Sequence, residues 1–131
     1  MAAVVLLVAI GATYAVKQYT RSDVCKEYCA QAEDLNSQKC TDPAVHTCAA
    51  LLDEKVALAA AINEMTVSEE EMSAGVERIH HSAGMVESAG SRWSSGDCSE
   101  MQTGDKLFRC RTIATDLDDD FSELVERVQS L

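Results

Sequence analysis

Apolar positions in this chain recur three and four residues apart over long stretches, the spacing that puts side chains on one face of an α-helix. The clearest run is Leu107, Cys110, Ala114, Leu117, Phe121, Leu124, Val128 and Leu131, an unbroken alternation long enough to read as a coiled-coil seam. A second run keeps the same rhythm through Met72, Val76, Ile79, Ala83, Val86, Gly90 and Trp93. Between them, residues 94–104 (SSGDCSEMQTG) gather serine, glycine and aspartate, which interrupt helices. Two helices joined by so short a break are expected to pack as an antiparallel hairpin.

Two further helices are predicted upstream. One presents Val24, Tyr28, Ala32 and Leu35 and ends near residue 36. The next is expected to start at Asp42-Pro43, an N-cap followed by proline at the first helical position, where a missing N–H costs nothing. It runs to about Met65. Thr66-Val67-Ser68-Glu69 then fits a capping box opening the third helix. The fold class read from this pattern is all-α: an N-terminal transmembrane helix continuing into a small, disulfide-stabilised helical bundle with an antiparallel hairpin. The expected divisions are a signal-anchor over 1–20, a cysteine-containing helical hairpin over 21–66, and a coiled-coil-like hairpin over 67–131.

The anchor rests on residues 2–16 (AAVVLLVAIGATYAV), which carry no charge until Lys17. That run is short of the roughly 20 apolar residues a span normally needs. Tyr14 and Tyr19 suit the lipid–water interface and the Lys17 stem can snorkel, so contact with a bilayer is expected through residues 2–19. A cleaved signal peptide and a buried core helix are the competing readings. The first of these lacks the usual basic leading region.

Charge narrows the partners. Twenty-two acids against eleven bases give −11, and the imbalance falls mostly on residues 67–131, with fourteen acids and six bases. Nucleic acid is excluded as a partner because no basic patch is present to meet phosphate. An anionic membrane surface would repel the second half of the chain.

Six cysteines, Cys25, Cys29, Cys40, Cys48, Cys98 and Cys110, are the candidates for a disulfide framework, which implies an oxidising compartment: the intermembrane space, the periplasm or a secretory lumen. The expected pairing is Cys25–Cys48 with Cys29–Cys40, and Cys98–Cys110 across the break. Lys17, Arg21 and Lys26 argue for a cytoplasmic domain by the positive-inside rule, but Asp23 and Glu27 dilute them and the cysteines weigh more. Zinc is the rival use of Cys25, Cys29, Cys40, His46 and Cys48, yet the close C-x2-C pairs of zinc ribbons are missing. The C-x3-C spacing over residues 25–48 resembles small intermembrane-space proteins with twin cysteine motifs. Cys40 and Cys48 depart from that spacing, and the resemblance implies no function here.

Other candidate chemistry dissolves on inspection. The run of Asp116, Asp118, Asp119 and Asp120 resembles a calcium loop, but the places needing glycine and glutamate hold Phe121 and Arg127. With Leu117 and Phe121 on the apolar stripe, the aspartates are expected mostly on the solvated face. His80 and His81 point about 100° apart on a helix and do not share an ion easily. No serine has a patterned base, no glycine-rich phosphate loop occurs, and the C-x-x-C redox pattern is missing. Trp93 followed by Ser-Ser-Gly is similar to the Trp-x-Gly turn of small secreted helical hairpins, with the glycine one residue late.

No catalytic, cofactor or metal site is expected. The functional expectation is a non-enzymatic membrane-anchored interaction protein, an accessory subunit of a membrane complex. Its partners would be other subunits or a second copy, met through the seam of Leu107, Leu117, Phe121, Leu124 and Val128. The alternatives are a lysis protein, since a short anchor before a helical disulfide domain is similar in layout to inner-membrane spanins, and a secreted helical protein if residues 1–15 are removed.

Overall fold

The computed structural model describes residues 23–67 and 74–131, which form four α-helices and one 3-10 turn, with no strand among them. The helices are α1 (Asp23–Asn36), α2 (Ala49–Val67), α3 (Ala74–Ser95) and α4 (Gly104–Gln129), and the 3-10 turn is Val45–Cys48. The proposed anchor lies outside the described residues. Among the described helices none is long and apolar enough to cross a membrane.

The predicted stripes are the core. Val76, Ile79, Ala83, Val86, Gly90 and Trp93 of α3 are buried, and so are Cys110, Ala114, Leu117, Phe121, Leu124 and Val128 of α4. Helix α1 adds Val24, Ala32 and Leu35, and α2 adds Leu52, Leu58, Ala59 and Ile62, so all four helices share one core. The antiparallel hairpin of α3 and α4 is as predicted. Its stripe, however, packs inside the protein instead of standing open to a partner: Leu117, Phe121 and Leu124 are fully buried and Leu107 is half-buried.

Helix α4 packs on α1, α2 and α3 together. A helix touching three neighbours buries a wider arc than the single seam of a hairpin. The wider arc adds Asp118 and Val125, which with Ala114, Phe121 and Val128 of the seam form a second row spaced four and three, every member buried. Helices α2 and α3 approach closely at Gly90, where an added Cβ would lie 2.7 Å from Cγ2 of Val56.

Two helix boundaries differ from expectation. Asp42 caps no α-helix: its carboxylate accepts from the Ala44 N–H at 2.9 Å and from the Thr47 hydroxyl at 3.1 Å in the approach to the 3-10 turn, and α2 begins only at Ala49. Thr66 is no N-cap. It lies in the last turn of α2, buried, and donates its hydroxyl to the Asn63 carbonyl at 2.8 Å. Bonding back to a carbonyl one turn earlier satisfies the hydroxyl within α2, so the local capping motif loses to tertiary burial. Ser68 and Glu69 of that motif, and Met72, lie outside the described residues.

All six cysteines are paired: Cys25–Cys29, Cys40–Cys48 and Cys98–Cys110. The third was expected; the expected Cys25–Cys48 and Cys29–Cys40 pairs are not found. Cys25 and Cys29 are one turn apart on the same face of α1, with Cα atoms 4.5 Å apart. Cys40 is held elsewhere, because its N–H donates to Asp118 of α4 at 2.8 Å, which sets it beside Val45 and Cys48.

Candidate interaction site

Lys55 interrupts the apolar row of α2 formed by Leu52, Ala59 and Ile62, and it is fully buried. Its ammonium donates to Oδ1 of Asp118 at 2.6 Å and to the Gln38 carbonyl at 2.7 Å, and lies 5.3 Å from the centre of the Phe121 ring. Asp118 uses its other oxygen for the Cys40 N–H. Burial pushes the Lys55 pKa below the ordinary lysine value, while the hydrogen bond and charge of Asp118 oppose that shift. This arrangement corrects the expectation of a solvated acidic face. Asp118 is a buried structural acceptor that fastens residues 38–40 to α2 and α4, while Asp119 is exposed and Asp116 and Asp120 are half-buried.

The connection beyond α1 is tied to α4 along its length. Asn36 accepts from Ser122 and Lys39, Cys40 meets Asp118, and the Arg111 side chain donates to the Pro43 carbonyl at 3.0 Å. That segment therefore runs along α4 from Ser122 toward the hairpin tip.

At the tip, α3 ends in a Schellman motif. The Cys98 N–H bonds the Trp93 carbonyl at 3.2 Å, the Asp97 N–H bonds the Ser94 carbonyl at 3.2 Å, and Asp97 takes the left-handed conformation at φ 52°. Gly96 beside it leaves room for the disulfide: a Cβ there would lie 3.1 Å from Sγ of Cys98. The Cys98–Cys110 bridge then fixes the loop to the first turns of α4.

This rigid tip bounds an open groove of about 650 Å3, lined by Arg92, Lys106, Phe108, Arg109 and Ile113 with the disulfide among them. Phe108 is 71% exposed and Met101, in the adjoining loop, 77%. Three bases and one acid, Asp97, line the groove in a chain whose net charge is −11. Arg92 is engaged by Asp116 at 3.5 Å; Lys106 and Arg109 have no ion pair among the described residues. Sequence reading missed this groove because Phe108 lies off the apolar stripe and its basic neighbours are hidden in the overall charge. The detectable signal is the reversal along α4: three bases and one acid over residues 104–112, then six acids and one base over 113–131.

A smaller cleft of about 360 Å3 lies between Glu77, Arg78 and His81 of α3 and Glu123 and Arg127 of α4, with acids and bases balanced. His81 is exposed and His80 half-buried, the division expected of neighbours on a helix. Among the described residues no three histidine, cysteine or acidic side chains are grouped to hold a metal. The chain matches no known protein family, no curated protein and no solved structure.

Proposed function

We propose that this protein is a non-enzymatic, membrane-anchored interaction protein: a small accessory subunit of a membrane complex, with its helical domain in an oxidising compartment. The observation that carries the reading is the exposed aromatic Phe108 on a groove stiffened by a disulfide and a helix cap. Aromatic side chains and arginines on a fixed surface are common anchors of contact sites. Preorganisation by a covalent bridge lowers the entropy lost on docking. The uncharged run over residues 2–16 supplies the anchor in this reading, and three disulfides suit an oxidising compartment.

Carbonate extraction of native membranes, followed by native gel electrophoresis of the detergent extract, tests it. The expected result is retention in the membrane pellet and migration in a complex larger than the 14.2 kDa chain. Recovery in the soluble fraction as a monomer would sink the proposal.

A further inference from the structure

We infer that the groove at the hairpin tip binds an acidic peptide segment of a protein partner, whose large apolar side chain packs against Phe108 and Ile113 while its carboxylates meet Lys106 and Arg109. This rests on the interaction-protein reading above and names the surface and the chemistry it would use.

Four observations meet at this place. The groove is the part of α4 where bases outnumber acids, in a chain where acids are twice as numerous as bases. Lys106 and Arg109 lie three apart on one helical face and have no ion-pair partner among the described residues, so their charge is available. Phe108 is 71% exposed although the fold has an apolar core to receive it. Finally, the floor is covalently fixed by Cys98–Cys110, so the surface does not have to be ordered by its ligand.

The same facts choose among occupants. Two cations without an ion pair among the described residues, beside an aromatic ring, match a segment that combines carboxylates with a large apolar side chain, since rim charges steer and select while the apolar anchor holds. An anionic lipid surface matches the groove locally, but the six acids over residues 113–131 of the same helix would be repelled from it. A second copy could bring that acidic stretch to the groove, but its Leu117, Phe121, Leu124, Val125 and Val128 are buried in the core, so none of them is available to pack against Phe108.

The test is photo-crosslinking in the full-length chain, in its native membrane, with a benzophenone analogue of phenylalanine replacing Phe108. The crosslinked segment is then sequenced by mass spectrometry. The expected product is one protein segment in which acids outnumber bases and a large apolar residue lies beside them. The double variant Lys106→Glu/Arg109→Glu should lower the yield roughly tenfold or more, and raised salt should lower it in the crosslinker-bearing chain without the charge reversal. Crosslinking to lipid, to a second copy or to a neutral or basic segment would overturn the inference. So would no crosslink at all, or a yield that the charge reversal leaves unchanged. Native gels of the charge-reversed chain separate this from the broader reading. A large complex that persists without the tip crosslink defeats the groove alone, whereas a chain never found in a complex defeats both. Circular dichroism of the variant guards against misfolding, and an unfolded variant is replaced by Lys106→Gln/Arg109→Gln with the same expected direction.

Discussion

Lys55 and Asp118, 63 residues apart in sequence, meet at 2.6 Å in the centre of the bundle with both side chains buried. The contact joins α2 to α4, and through the Gln38 carbonyl and the Cys40 N–H it also fixes the connection that follows α1. Such a pair is costly to desolvate and more costly to break. Asp118→Ala strands a buried ammonium and a backbone N–H together, and is expected to destabilise the protein by about 3–5 kcal/mol in urea melts followed through the single tryptophan, Trp93. The double variant Lys55→Met/Asp118→Leu should recover most of that loss, because two apolar groups need no partners. If Asp118→Ala melts like the parent protein, the pair does not hold the bundle together.

The register of α4 gives a second contrast. Leu124 is fully buried and Asp119 exposed. Leu124→Ala is expected to cost about 2–5 kcal/mol through lost transfer energy and the cavity left behind. Asp119→Ala should stay within about 0.5 kcal/mol. Equal losses in thermal melts would mean that Asp119 is engaged by something outside the helix.

Gly90 sits where α3 meets α2. Alanine in a helix ordinarily gains about 1 kcal/mol over glycine. Here its Cβ would fall 2.7 Å from the stiff Cγ2 of Val56, so overpacking of about 1–3 kcal/mol outweighs that gain. Gly90→Ala should therefore lower the melting temperature, and adding Val56→Ala should restore it. A stabilising single variant would show the helices farther apart than described.

Asp120 is half-buried between Asp116 and Glu123, and its pKa is raised above the ordinary 3.8 by desolvation first and by the charge of Asp116 second, with Arg92 opposing. Between 3.8 and its raised value the folded protein binds more protons at this site than the unfolded chain. Stability from Asp120 therefore falls as pH rises through that window, and the penalty is complete above it. Asp120→Asn should stabilise the protein at pH 7 by about 0.2–0.5 kcal/mol, the scale of a like-charge pair one turn apart. The gain should vanish below about pH 3, where carboxyls are protonated in both states. Paired denaturation curves at the two pH values measure this; an equal gain at both would show that charge is not the cause.

The disulfide pattern is directly checkable. Peptide mapping without reduction should yield Cys25–Cys29, Cys40–Cys48 and Cys98–Cys110 linkages. A peptide joining Cys25 to Cys48 would refute the arrangement around Asp118.

The sequence by itself determined most of the helical frame. The stripes of α3 and α4, the break between them and the Cys98–Cys110 bridge follow from periodicity and from cysteines flanking a short loop, which are local facts. Tertiary structure decided what depends on neighbours from other parts of the chain. Asp118 lies next to the seam, and only the presence of α1 and α2 on its far side widens the buried arc enough to include it. Lys55 falls on the row of Leu52, Ala59 and Ile62, but a lysine on an apolar row is legible as buried only once its carboxylate is known. The pairing of Cys40 with Cys48 goes with the same distant acid, which holds the Cys40 backbone against α4. The groove likewise needed three dimensions, since Arg92 and Phe108 come from different helices and meet only where the hairpin folds back on itself.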